Sequence, residues 1–174
     1  MKKTASVILI SLLFGCGTTT EKVPIDNDYF DLSGYFSNEA DRLTKENPSV
    51  AKTVFINGKA EEKTVKIADW VNELQSFSSS DINKASWRGE FTALQNDSTK
   101  TYTSNSAKIP VKSVFVKLVN TKPVFIQIIL KNENTLYNSH DTLTYVPNDF
   151  YSIVKSQKIK LMEQKNYKVI GKFN

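Results

Sequence analysis

Few side chains in this sequence could do chemistry. The 174-residue chain has one cysteine, Cys16, and one histidine, His140, which lies in the polar run Asn138-Ser139-His140-Asp141. A catalytic histidine needs a positioned partner and a nucleophile, and no G-x-S-x-G motif surrounds any serine. We therefore expect His140 to be a solvated turn residue rather than a general base.

Metal and cofactor sites are also unsupported by the residue pattern. One histidine and one cysteine are too few for a zinc site. The acidic run at Asp26, Asp28 and Asp31 lacks the glycine and the terminal glutamate of an EF-hand loop. Any of the 18 acidic residues could belong to the carboxylate pair of a glycoside hydrolase, and the sequence does not select a pair. The expectation is no metal and no cofactor.

The single cysteine stands at the end of an apolar leader. Lys2 and Lys3 precede a short apolar run over residues 7–14, well under the roughly 20 residues that a membrane-spanning helix needs. A positively charged start followed by a short apolar stretch is typical of a cleaved signal peptide.

The residues Leu13-Phe14-Gly15-Cys16 resemble the lipobox of bacterial lipoproteins. The resemblance implies that the Cys16 sulfur receives a diacylglyceryl group, that a signal peptidase cuts before Cys16, and that the new amino group is often acylated as well, for example with palmitate. By analogy with enterobacterial lipoproteins, Gly17 in place of an aspartate implies the outer membrane. The leaflet, periplasmic or surface-facing, stays open.

The predicted processing divides the chain into a signal peptide (residues 1–15), a lipidated N-terminus with a flexible tether (16–31) and one domain (32–174). Cleavage lowers the net charge from +5 to +3, with 21 basic against 18 acidic residues. The remaining charge is uneven, at −5 over residues 16–99 and +8 over residues 100–174. Nearly all basic residues are lysine, whereas recognition of phosphates and bases favours arginine. Composition and export both argue against nucleic acid as a partner.

Four lysines in the last predicted hairpin alternate with apolar residues. If the strands pair as their patterns indicate, these amines share one solvent-facing side. Such a side could contact anionic headgroups or an acidic partner, and lysines on exposed strands also prevent unwanted strand pairing. The four residues are Lys158, Lys160, Lys168 and Lys172.

The elements that must position these residues begin with a helix. Apolar residues at helical spacing predict it over residues 33–46, with Asp31 or Ser33 as its N-cap. Asn57-Gly58 between two β-prone runs then predicts a hairpin, because both turn positions need positive φ.

A second short helix is predicted after Asp69, with Trp70, Leu74 and Phe77 on one buried face. Trp87 is also expected in the core. Short β-prone runs separated by turn residues follow. They predict strands over residues 87–95, 100–105, 111–120, 123–132, 135–146, 150–162 and 166–173.

This order predicts an α+β fold: two short helices with a hairpin between them, then a large curled antiparallel sheet that could form a half-barrel. In the strands 111–120 and 123–132 both faces are apolar, so that Val114 and Phe115, for example, point to opposite sides. We expect this hairpin at the sheet centre with cover on both sides. Sheet curling with the helices, an apolar ligand or a partner protein could each supply that cover.

These features favour a membrane-anchored envelope lipoprotein that acts as a non-enzymatic binding module for a partner protein or an apolar ligand. The alternatives are an envelope-polymer hydrolase that uses unidentified carboxylates, and an adhesion or scaffold module. A deep apolar cavity would favour an apolar ligand, and a filled core with an exposed apolar patch would favour a partner protein. Two carboxylates across an open cleft would favour the enzyme. The sequence leaves the oligomeric state open.

Overall fold

The structure, a computed structural model, describes residues 29–174. The predicted signal peptide, Cys16 and most of the predicted tether lie outside these residues. The helices are α1 (Leu32–Glu46), α2 (Trp70–Glu73) and α3 (Gln75–Ser78), and a 3-10 turn covers Ala85–Trp87. The strands are β1 (Ser49–Ile56), β2 (Lys59–Lys66), β3 (Thr92–Gln95), β4 (Thr99–Thr103), β5 (Val111–Val119), β6 (Lys122–Glu133), β7 (Tyr137–Val146), β8 (Phe150–Ile159) and β9 (Lys165–Phe173).

All strands of the described residues lie in one antiparallel sheet in the order β2-β1-β9-β8-β7-β6-β5-β4-β3. Strands β3 to β9 form a meander, and the β1–β2 hairpin adds to its end by pairing β1 with β9. The sheet curls but is not closed, because β2 and β3 remain its two edges. The predicted α+β fold is confirmed.

The turns define two ends of this sheet. The β3–β4, β5–β6 and β7–β8 turns lie at one end, which we call the near end, together with the start of β1 and the C-terminus of β9. The β1–β2, β6–β7 and β8–β9 turns lie at the opposite, far end. Helix α1 leads into β1 at the near end, and β2 leads into α2 there, so both helical segments adjoin that end.

Local sequence explains the boundaries of α1 and of the first hairpin. The Asp31 carboxylate accepts the Gly34 N–H at 2.7 Å and caps α1, as one of the two predicted caps. Asn47 ends the helix with a left-handed φ of 46°. In the hairpin turn Asn57 and Gly58 have φ of 48° and 85°, as the motif predicts. The packed part of the chain begins three residues before the predicted domain start at residue 32, because Tyr29 is already buried.

Two strand predictions were wrong at their ends. Residues 87–91 are not extended: the chain forms a 3-10 turn up to Trp87, and β3 begins only at Thr92. Strand β8 ends at Ile159, short of the predicted residue 162, because Leu161 adopts a left-handed φ of 68° that breaks the strand. In both cases a residue with positive φ, Gly89 (79°) or Leu161 (68°), interrupts the extended backbone.

The helices cover one face of the sheet, which we call the helix face. Phe36 of α1 and Phe77 of α3 pack on Tyr145, with ring centroids 5.2 and 6.0 Å apart, and Trp70 of α2 packs on Tyr151. These helices all lie on this face, so they do not supply the expected cover of the outer face, and cover there by a ligand or a partner stays a prediction. On the outer face Phe115 packs instead on its neighbour Phe125, at 6.0 Å.

One glycine makes the close packing of the helix face possible. Gly171 on β9 lies opposite Tyr151 on β8, and a β-carbon at Gly171 would come within 2.2 Å of the Tyr151 ring. Because a carbon atom cannot approach a ring so closely, only glycine lets Tyr151 lie across β9 towards the helices.

We predict that Gly171→Ala lowers the free energy of unfolding by about 2–3 kcal/mol, since the extra methyl forces the Tyr151 ring out of its place. The measurement is urea unfolding followed by circular dichroism. Lys172→Ala, at the exposed next position of the same strand, is the control and should change stability by under about 0.5 kcal/mol. Equal effects of the two substitutions would contradict the packing argument.

Candidate binding face

A pair of tyrosines marks how far the helices cover the helix face. Tyr145 on β7 and Tyr151 on β8 are direct cross-strand partners. The Tyr145 hydroxyl donates to Glu39 of α1 at 2.5 Å, and the Tyr151 hydroxyl donates to Glu73 of α2 at 2.6 Å. Helices α1 and α2 are thus hydrogen-bonded to the sheet at the same cross-strand pair, which lies in the near half. The helices therefore cover the near half.

A cation accompanies each glutamate. Arg42 donates to both Glu39 oxygens, at 3.0 and 2.8 Å, and also to Glu46. Lys52 of β1 donates to both Glu73 oxygens, at 2.7 and 2.9 Å. Each of these largely buried carboxylates thus has a cation within hydrogen-bonding distance, as buried charges need partners.

The titration behaviour agrees with this geometry. Burial by itself would raise the pKa of Glu39, but hydrogen bonds from Arg42 and Tyr145 outweigh it and hold the pKa below its usual value. Burial first, and then the bond to a glutamate, raises the pKa of both Tyr145 and Tyr151. The tyrosines are consequently neutral donors, and Glu39 is a charged acceptor.

Beyond the tyrosines the helix face is less deeply buried on three neighbouring strands. The next positions towards the far end form an apolar row, with Val54 on β1, Val169 on β9 and Ile153 on β8. All three side chains are only half-buried, whereas Leu143 in the same row on β7 is buried. We call the part of the helix face on β1, β9 and β8 beyond the tyrosines the open face.

A cavity of about 240 Å³ lies where the open face meets the end of α3. Its floor is apolar, from Leu143, Ile153 and Leu130 on the sheet. Serines from the end of α3 line the opposite side, and the polar groups Asp141 and Lys155 line it from the strands. The cavity combines an apolar base with a few convergent polar groups, as ligand sites do.

Asp141 and Lys155 are the charged centre of this cavity. They are cross-strand partners, and Lys155 Nζ lies 3.3 Å from Asp141 Oδ2. The Asp141 side chain is 14% exposed, and its Oδ1 atom is buried without a hydrogen-bond partner in residues 29–174. A buried carboxylate oxygen without a donor is costly, so a donor supplied by a ligand would be favourable here. Sequence reasoning missed this pair because its members are 14 residues apart and only the register joins them.

The two tryptophans have different roles. Trp70 is fully buried, as predicted, whereas Trp87 is half-buried and lines the cavity. The Lys84 amine lies 4.2 Å from the centroid of the Trp87 ring and donates to the Ser79 carbonyl. The prediction of a core position for Trp87 was therefore right only in part, because the 3-10 turn places the ring at the cavity wall.

The structure separates His140 from Asp141. Both lie in β7, and successive side chains of a strand point to opposite faces. His140 is exposed on the outer face, while Asp141 lies on the helix face. Their sequence proximity therefore creates no dyad, and His140 is a solvated residue within the predicted strand 135–146 rather than in a turn.

The predicted lysine stripe spreads along the whole outer face. Lys158, Lys168 and Lys172 share that face by register, from the far end to the near end. Lys160 lies beyond the end of β8, in the β8–β9 turn, because the strand stops at Ile159. Lys168 lies over the Phe55 ring at 5.5 Å. The stripe's predicted contact with headgroups or an acidic partner stays a prediction.

Residues 29–174 contain no group of three side chains suited to hold a metal ion. No helix within the same residues is long and apolar enough to cross a membrane. No protein-family model, curated protein or solved structure matches the chain.

We predict that the Glu39 contacts make stability depend on pH. Because the pKa is lower in the folded state, the stabilisation is complete above the unfolded pKa of about 4.3 and is lost as pH falls through the folded pKa. Glu39→Gln should lower the free energy of unfolding by about 1–2 kcal/mol at pH 7, and the deficit should shrink towards pH 3. Urea unfolding at both pH values measures this.

Asp41→Asn, at an exposed position of the same helix, is the matched control and should show little deficit at either pH. A deficit of Glu39→Gln that is equally large at pH 7 and pH 3 would sink the electrostatic account.

Proposed function

We propose that the protein is an envelope lipoprotein held at the membrane, more specifically the outer membrane, by acyl chains on Cys16, and that it is a non-enzymatic module that binds a partner protein on its open face. The observation that carries the binding proposal is the half-covered sheet. Helices pack on the near half, while the apolar row of Val54, Val169 and Ile153 is only half-buried and adjoins the cavity.

A partner protein fits this surface better than an enclosed apolar ligand. The space between helices and sheet is filled by buried side chains, among them Trp70, Phe36 and Phe77. The cavity of about 240 Å³ is smaller than the roughly 300–1,000 Å³ typical of small-molecule pockets. It opens next to the apolar row, so an extended segment could lie along the row and insert one side chain into the cavity.

The polar groups of the cavity suit a polypeptide. Asp141 Oδ1 lacks a donor, and a backbone or side-chain N–H of a partner would supply one. Lys155 and Lys84 provide donors for carbonyl or carboxylate oxygens. A peptide segment offers both kinds of group along with apolar side chains.

The distribution of acids supports a non-enzymatic function. Asp141 is the one acid, among the described residues, that lines the cavity, and its Oδ2 atom contacts Lys155. Glu39 and Glu73 are bonded to tyrosines beneath the helices. Hydrolysis of a glycosidic bond would need two carboxyl groups facing each other across a cleft.

We predict that cells given labelled palmitate transfer the label to the wild-type protein, and that Cys16→Ala abolishes the transfer. The reason is that Cys16 is the only cysteine of the chain and stands at the lipobox position. Thr18→Ala, two residues further on, is the control and should keep the label. Label retained by Cys16→Ala would refute anchoring at this residue.

We predict that a photo-crosslinking amino acid on the open face captures a partner in intact cells. Ile153 and Val154 are a matched pair, because they are neighbours in β8 that point to the helix face and to the outer face respectively. The crosslinker at position 153 or 169 should give the same protein adduct, and the crosslinker at position 154 should not. Blotting and mass spectrometry identify the adduct.

The identified partner is then purified for a direct test. Val169→Asp should weaken its binding at least about ten-fold, because a charge in the apolar row loses its hydration on binding, whereas Val154→Asp should not. Adducts of lipid mass would favour the apolar-ligand alternative. Adducts from position 154 alone would overturn the assignment of the open face.

A further inference from the structure

The far end of the sheet brings three turns together. The β8–β9 turn is bonded to the β6–β7 turn through the Lys160 N–H and the Leu136 carbonyl, at 2.9 Å. The β1–β2 turn is bonded to β9 by two hydrogen bonds between Asn57 and Asn166. The three turns and the strand ends beside them therefore form one continuous edge, which we call the far edge.

Exposed apolar side chains concentrate at this edge. Of the nine large apolar side chains that are exposed in residues 29–174, five belong to it. A concentration of this kind marks an interaction surface, whereas single exposed apolar residues are ordinary. The five are Ile56, Leu136, Ile159, Leu161 and Met162.

Leu161 is the most informative of them. Its side chain is 97% exposed, and its φ of 68° is a left-handed conformation that glycine or asparagine adopts more easily. Neither packing inside the domain nor the geometry of the turn calls for leucine at this position. Insertion of the Leu161 side chain into an apolar environment outside the domain would account for a leucine at this position.

Lysines stand between these apolar residues. The β8–β9 hairpin contributes three lysines and a single acid, Glu163, to the edge, and Lys59 adds a positive charge at the β1–β2 turn. The three lysines are Lys158, Lys160 and Lys165. In the β6–β7 hairpin Glu133 is paired with Lys131 at 2.9 Å. The far edge is therefore net positive, and its apolar and basic groups alternate.

We propose that the far edge docks on an anionic phospholipid surface, with Leu161 and Met162 entering the apolar layer and the flanking lysines contacting headgroup phosphates. Apolar side chains at the tips of turns, with lysines beside them, match the boundary between acyl chains and anionic headgroups. A protein partner would instead bind a continuous surface, such as the open face. The lysines at positions 168 and 172 lie farther along the outer face and are not part of the edge.

The inference rests on the proposed function in one respect, because the acyl chains on Cys16 would hold the domain near the bilayer. The 12 residues between Cys16 and Tyr29 reach at most about 45 Å when fully extended. A second contact with the same membrane would then form at high effective concentration. An anchor and a docking edge together would fix the orientation of the open face.

The test uses the full-length acylated protein with Leu161→Cys, labelled with the environment-sensitive dye NBD. Since Cys16 is the only native cysteine and its sulfur would be acylated, position 161 carries the only reactive thiol. The protein is reconstituted into vesicles of phosphatidylcholine with phosphatidylglycerol, and into vesicles of phosphatidylcholine alone. We expect blue-shifted emission that spin-labelled lipids quench, and a stronger effect with phosphatidylglycerol.

Val71→Cys is the matched control, because Val71 is 67% exposed on α2, which covers the near half. Its dye should report water in both kinds of vesicle. Lys158→Glu combined with Lys160→Glu should remove the dependence on phosphatidylglycerol, whereas Lys172→Glu, on the same face near the other end, should keep it.

A dye at position 161 that is as exposed to water as the dye at position 71 would overturn the proposal. If it is exposed on vesicles but shielded in native envelopes, a protein covers the edge instead, and lipid docking is again refuted. Dye uptake by the parent chain would show that Cys16 is not acylated. The same comparison of positions 161 and 71 in the Cys16→Ala background, with protein added to vesicles from solution, then tests docking by itself.

Discussion

The hydrogen bonds from two adjacent tyrosines to two helix glutamates determine how the helices and the sheet of this domain fit together. Tyr145 and Tyr151 stand side by side in the sheet, and each donates to a glutamate that a cation from a helix or strand also binds. Such bonds are strong when both partners are withdrawn from water, and costly when one partner is removed. They also require Gly171, because a side chain there would displace the Tyr151 ring from its contact with the helix.

The position of these hydrogen bonds along the strands determines which part of the sheet the helices cover. Helices held at the near half bury the aromatic core, and beyond them the apolar row on β1, β9 and β8 stays only half-buried. The cavity beside Asp141 and Lys155 lies at the boundary, where apolar floor and polar wall meet. The same sheet therefore combines a buried core at one end with a half-buried apolar surface on three strands, which is the division that the proposed binding function uses.

Charge is distributed along the chain in a way that complements this division. Residues 16–99, which are net acidic, contribute the two glutamates that bond to the sheet, whereas residues 100–174, which are net basic, contribute the two tyrosines and strands β5 to β9. Where those strands run past the helices, their lysines meet exposed apolar residues at the far edge. An anchored domain with a basic, partly apolar edge would present its open face in one orientation relative to the membrane.

The sequence by itself determined the local features. The Asp31 and Asp69 caps, the Asn57-Gly58 turn, the buried face of Trp70, Leu74 and Phe77, and most strands could be predicted, because each depends on residues a few positions apart. Only the tertiary structure decided which half of the sheet the helices cover, that Lys155 joins Asp141 while His140 points away from it, and that Leu161 stands exposed at a joined edge. These features depend on strand register and on packing between residues distant in the chain, and local periodicity contains no information about either.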